Sequence, residues 1–93
     1  MPVVRFTKHL RRYFPDLEDG AEIEGATVAE VVSALDARWP GLGHYVRDER
    51  GALRKHVNVF IGGEMVTDRR ALSDAVKPHD EIHVLQALSG GVK

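Results

Sequence analysis

Val57-Asn58-Val59-Phe60-Ile61-Gly62-Gly63-Glu64-Met65-Val66 is the stretch from which the fold can be read. Val57, Val59 and Ile61 alternate with His56, Asn58 and Phe60, a period of two that puts one row of side chains on each face of a strand. Gly62-Gly63 follows, and two glycines accept the positive backbone angles that both central positions of a type I′ turn require. Glu64-Met65-Val66 is therefore the returning strand of a hairpin. One residue breaks the polar-out rule: Phe60 falls opposite Val57, Val59 and Ile61, on the side where a half-covered sheet should be polar.

Toward the C-terminus, Asp68 to Pro78 reads as a connector in which Leu72, Ala75 and Val76 anchor one short turn. Glu81 to Ala87 is the last strand, with Ile82 and Val84 on one face and Leu85 on the other. Toward the N-terminus, Val28, Val31, Val32, Leu35 and Trp39 recur at helical spacing and make one apolar stripe. Thr27 and Glu30 supply a capping box at its start, and Pro40-Gly41 ends it. Gly41 to Gly51 is a loop or a short helical turn. Val3 to Thr7 is a first strand with Val4 and Phe6 on one face. Ala21 to Glu24, closed by Gly25, returns antiparallel to it. Between them Lys8 to Glu18, interrupted by Pro15, is a long hairpin connection. The order is hairpin, helix, hairpin, short turn, strand. It predicts an α+β fold of the β-grasp kind, with one main helix across one face of a mixed sheet of four or five strands and the last strand beside the first. Residues 1–87 would form this domain, and residues 88–93 a flexible C-terminal tail carrying Gly90-Gly91.

Composition narrows the function classes. A chain of 93 residues, 43% hydrophobic and 29% charged, has room for one ordinary domain. It contains no cysteine, which excludes disulfides, thiolate metal sites and a cysteine nucleophile. Thirteen Lys and Arg against 14 Asp and Glu give no global basic field for nucleic acid. The N-terminus has no signal-peptide apolar run and no stretch nears the ~18 apolar residues of a membrane span, so a cytoplasmic, membrane-free protein is expected. Phosphate-binding glycine loops, zinc-protease and nucleophile-elbow motifs are all missing, so the chain does not read as an enzyme and has no catalytic residues of its own. His9, His44, His56, His79 and His83 match no metal-ligand spacing, although His56 and His83 could lie on neighbouring strands. No metal site is expected. Lys8, Arg11 and Arg12, then Arg47, Arg50, Arg54 and Lys55, form two basic clusters balanced by Asp16, Glu18, Asp19, Glu22 and Glu24. These read as a solvated mixed-charge surface, or as steering toward acidic partners.

Phe60 and Leu85 both sit on the wrong side of an alternating strand. With Ala87 and Leu88 they would make an apolar partner-binding surface, unless a bulge or register slip returns one of them to the core. Gly90-Gly91 carries more. Two residues without Cβ atoms make the thinnest tail available, able to thread a narrow channel and present a carboxyl group in another protein's active site.

Taken together, these segments resemble the ThiS/MoaD family of ubiquitin-like sulfur carriers over nearly the whole chain. Val57 to Glu64 is similar to that family's NVFVNGE hairpin, and Asp80-Glu81-Ile82 through Leu88-Ser89-Gly90-Gly91 to its last strand and terminal Gly-Gly. Arg38-Trp39-Pro40-Gly41-Leu42 and the long stretch before the third strand resemble the larger members, the molybdopterin-type and cysteine-biosynthesis-type carriers. The resemblance implies that Gly91 is adenylated by an E1-like enzyme using ATP, with Gly90 as its neighbour in the channel. The adenylate is then converted to a thiocarboxylate, which donates sulfur to a biosynthetic enzyme making cysteine, thiamin, molybdopterin or another thiolated product. No cofactor would be bound by the carrier itself. Val92-Lys93 departs from the pattern, because it places the Gly91 carbonyl in a peptide bond. Either the chain is a precursor cut between Gly91 and Val92, the favoured reading, with a zinc peptidase of the JAMM type as the expected partner, or Val92-Lys93 is not native sequence, or the protein has left sulfur transfer. Two other readings stand beside this one: a molybdopterin synthase small subunit, and a ubiquitin-like interaction module without tail chemistry.

Overall fold

The computed structural model describes residues 1–86 of the chain. Ala87, Leu88, Gly90, Gly91 and Val92, all named above as site residues, lie outside the described residues, as do Ser89 and Lys93. Eight elements follow in order: β1 (Val3–Phe6), α1 (Lys8–Arg11), β2 (Ala21–Glu22), α2 (Val28–Arg38), α3 (Leu42–Val46), β3 (Val57–Ile61), β4 (Glu64–Met65) and β5 (Glu81–Gln86). The strands form one sheet in the order β2-β1-β5-β3-β4. β5 lies at its centre, parallel to β1 and antiparallel to β3. This is the expected mixed β-grasp sheet, with five strands.

The alternation read in the sequence sets the core. Val4 and Phe6 of β1, Val57 and Val59 of β3, and Ile82 and Val84 of β5 are buried beneath Val28, Val31, Val32 and Leu35 of α2. Ile61 is half-buried against the same cluster. Thr27 caps α2 by accepting the Glu30 amide at 3.2 Å. The Glu30 carboxylate reaches one residue further than a standard capping box and accepts the Ala26 amide at 2.8 Å. Gly62 and Gly63 take positive φ values of 58° and 93°, as a type I′ turn requires.

Several boundaries differ from the sequence reading, each for a local reason. Thr7 leaves the first strand because its hydroxyl caps α1, accepting the Leu10 amide. That short helix replaces part of the expected hairpin connection and buries Leu10. β2 is two residues long rather than four. Trp39 ends α2 with extended backbone instead of continuing its stripe. Its indole donates to the Asp16 carbonyl at 3.2 Å and meets the Phe6 ring edge-on. The segment after Pro40 holds α3, whose first amides are held by the Asp36 carboxylate through Gly41 and Gly43 at 3.1 and 2.9 Å. In the connector, Leu72 and Val76 are buried but Ala75 is exposed, paired through its backbone with Thr27. Leu72 is fully buried with φ at +54°. Asp68 accepts the Arg70, Ala71 and Ser73 amides around it, and Asp74 accepts those of Thr67 and Asp68.

Candidate functional site

Two surfaces follow from this topology. The first is the sheet face turned away from α2. Because residues opposite each other in register share a face, Arg5, His83, Phe60 and Met65 form one row across β1, β5, β3 and β4. Leu85 lies opposite Asn58, diagonal to Phe60 on the same face. The β3–β5 register runs unbroken from Val57 to Ile61, so no bulge or slip turns Phe60 or Leu85 into the core. Both are half-buried and neither belongs to the core cluster. Met65, half exposed at 50%, extends the apolar strip toward the β4 edge. The other half of the row is ionic. The Arg5 Nε donates to Glu81 at 2.5 Å, and Asp19 stands 3.9 Å from the same guanidinium. Hydrogen bonding to Arg5 holds the Glu81 carboxyl below the usual carboxylate range, with the charges of Arg5 and His83 adding to the effect. The same bond raises the Arg5 guanidinium further. Such a face can grip a partner through an apolar centre and orient it through a charged flank.

The second surface surrounds the C-terminal end of β5. β1 is parallel to β5, so the turn into α1 lies at this end. β3 is antiparallel, so Val57 pairs with Gln86 there. The Tyr45 hydroxyl donates to the Gln86 Oε1. Burial raises the pKa of that hydroxyl, and Tyr13 adds to the rise. The Tyr45 ring lies 5.8 Å from Tyr13 and 6.3 Å from Phe14, while Tyr13 itself is 61% exposed. His44, Tyr45, Arg54, His56, Val57 and Gln86 line a cleft of about 230 Å³. The Arg69 guanidinium ties the start of β3 in place through the Asn58 side chain and the Val57 and Arg54 carbonyls, at 2.9 to 3.1 Å.

Gln86 is thus fixed from two sides, and Gly91 follows five residues later. Strand parity in the sequence points to Phe60 and Leu85. It misses Met65, whose place depends on the hairpin register, and it misses Tyr13, Tyr45 and Arg69. Only the run Tyr13-Phe14 hints at the aromatic cluster. His56 precedes β3 while His83 lies opposite Phe60. Among the described residues, no group of three His, Asp or Glu side chains is placed to hold a metal ion. Among the same residues, no helix is long and apolar enough to cross a membrane.

A β-grasp domain whose central strand is followed in the sequence by a Gly-Gly has the architecture of a ubiquitin-like carrier or modifier. The ThiS family model matches residues 4–91, and the chain belongs to that family. Sulfur carrier protein CysO of Mycobacterium tuberculosis is 30% identical over 69 residues, covering 72% of this chain and 74% of the relative. Small archaeal modifier protein 3 of Haloferax volcanii is 32% identical over 69 residues, covering 73% of each chain. The crystal structure of the Amycolatopsis orientalis BexX/CysO complex contains a chain that superposes with a TM-score of 0.84. It is 28% identical, and the match covers 98% of this chain and 100% of that one. The protein is therefore a sulfur carrier or ubiquitin-like modifier of the CysO and small-archaeal-modifier type, a protein cosubstrate rather than an enzyme.

Proposed function

We propose that this chain carries sulfur as a thiocarboxylate on Gly91. A carboxylate is a poor electrophile. An E1-like enzyme spends ATP to convert it to an acyl adenylate, and a persulfide or sulfide displaces AMP. ATP is bound by that enzyme and no cofactor by the carrier. Val92-Lys93 is removed first by a zinc peptidase of the JAMM type, where metal-activated water cuts the Gly91–Val92 bond. Phe60 and Leu85, with Ala87 and Leu88 beyond them, form the surface that the activating enzyme and then the sulfur-accepting biosynthetic enzyme grip. All of this takes place in the cytoplasm.

The observation that carries this reading is the path of β5. The central strand is held at Gln86 by Val57 and Tyr45, five residues before Gly91, and the family match runs to residue 91. A rigid foot with a short glycine-ended extension suits delivery into a channel. The likeness to a small archaeal modifier protein favours a second reading, in which an amine attacks the same adenylate and the chain becomes conjugated to another protein. Both begin with adenylation. ATP–pyrophosphate exchange with the E1-like enzyme of the same organism tests that step. A version ending at Gly91 should support exchange and one ending at Lys93 should not. Failure of the Gly91-ended version would remove both readings.

A further inference from the structure

The basic residues that form two separate clusters in the sequence converge at the foot of β5. Lys8 and Arg11 belong to α1 and Arg12 follows it, at the end where β1 and β5 both finish. Arg54, Lys55 and His56 lead into β3, whose first residue pairs with Gln86. Arg54, His44 and His56 share the 230 Å³ cleft with Gln86 itself. Among the described residues, none of Lys8, Arg11, Arg12, Arg54 or Lys55 has a carboxylate within ion-pair distance. Three of the neighbouring acids are already engaged. Glu18 pairs with Arg38 at 2.9 Å, Asp19 stands 3.9 Å from Arg5, and Asp48 accepts the Arg50 and Ala52 amides. Glu22 and Glu81 lie at the opposite end of the sheet, both in register with Val3. A chain with a formal net charge of only −1 therefore gathers positive charge without carboxylate partners around the foot of β5, the last described strand before Gly90-Gly91 in the sequence.

Length decides what this collar can touch. Five residues fully extended reach at most about 17 Å, so any active site acting on Gly91 lies within that distance of Gln86. The protein wall around such a site must then come up against the collar. Cations brought against a protein surface favour carboxylates opposite them, which speed encounter and set orientation. Building on the carrier reading, we propose that Lys8, Arg11, Arg12, Arg54 and Lys55 form a docking collar for an acidic rim around the channel mouth of the activating enzyme. Tyr13 stands beside this collar as an exposed aromatic contact.

The test uses the Gly91-ended chain in ATP–pyrophosphate exchange at low and at physiological salt. Arg12 and Lys55 are exposed and their side chains make no hydrogen bond in the described structure, so Arg12→Glu/Lys55→Glu should keep the fold. Its KM for the activating enzyme should rise about tenfold or more at low salt, with kcat retained and the salt dependence flattened. Glu22→Lys/Glu24→Lys, at the other end of the sheet, should stay within about twofold of the parent. Should the reversed variant melt early, Arg12→Gln/Lys55→Gln gives the same comparison by charge removal alone. An exchange-competent parent whose KM is unmoved by either collar variant would overturn the collar while leaving the carrier reading intact. A parent that supports no exchange would overturn both.

Discussion

Leu35→Ala removes the side chain at the centre of the contact between α2 and the sheet. Leu35 is fully buried among the residues that α2 and the three central strands contribute to the core. At about 0.8 kcal/mol per buried methylene, losing roughly three carbons takes away ~2.4 kcal/mol of transfer free energy. The surrounding backbone is a helix on one side and a paired sheet on the other, neither of which closes easily over a void. A cavity contribution brings the expected loss to about 3–4 kcal/mol, within the range typical of buried leucines. A domain of this length has roughly 5–14 kcal/mol of stability in total, so this is a large fraction of it. Trp39 is a native probe for urea denaturation, since it is only 9% exposed, lies edge-on to Phe6 and carries the Arg38 guanidinium 4.6 Å above its ring. With a urea dependence of about 1–3 kcal/mol per molar, the midpoint should fall by roughly 1–4 M. A midpoint within experimental error of the parent would show that α2 does not close the core as described.

Phe60→Ala and Leu85→Asp should each weaken binding to the activating enzyme by about 30-fold or more, the loss typical of an interface anchor, while lowering stability by only about 1 kcal/mol. Titration calorimetry and thermal melts separate the two effects, and unfolding of either variant would return that residue to the core. Gly43→Ala would place a Cβ 2.9 Å from the Asp36 side chain, displacing the carboxylate that holds the start of α3. A cost of about 1–3 kcal/mol should appear in the melting temperature, and an unchanged value would refute that close approach. Asp68 is held at about 2, against an ordinary 3.8, first by the Ala71 amide and then by the Ser73 hydroxyl. Because its folded pKa is depressed, its contribution is complete above pH ~4 and is lost as pH falls toward 2. Asp68→Asn should therefore be less stable than the parent at pH 6, with the gap narrowing by pH 2. An equal gap at both values would contradict this role.

Elements with sustained periodicity are legible in the amino-acid sequence. The valine and leucine stripe of α2 and the alternation in β3 and β5 each repeat often enough to give both the element and its buried face. Short elements are not. Lys8-His9-Leu10-Arg11 is one turn with a single apolar residue, too brief to show a period, and its one local signal is the capping hydroxyl of Thr7. α3 depends on a tertiary contact, since Asp36 supplies the bonds that its own first turn lacks. The candidate surfaces divide the same way. Phe60 and Leu85 stand out because strand parity is a local property. Met65, Tyr45 and Arg69 take their places from register and from contacts between segments distant in sequence. The convergence of the two basic clusters likewise depends on β1 running parallel and β3 antiparallel to β5, which no local pattern encodes.

The central claim is that a free carboxylate on Gly91 is the reactive group of this protein. Intact-mass spectrometry tests it directly on three versions: the chain ending at Lys93, one ending at Gly91, and the Gly91→Ala form of the latter. Each is incubated with the activating enzyme, ATP and a sulfide source. Only the Gly91-ended version should gain the mass of one oxygen replaced by sulfur, because an amide oxygen at Gly91 is too weak a nucleophile toward ATP and a Cβ narrows the fit of the tail. A Gly91-ended chain that stays unmodified, or a Lys93-ended chain that is thiolated with its last two residues in place, would contradict the account.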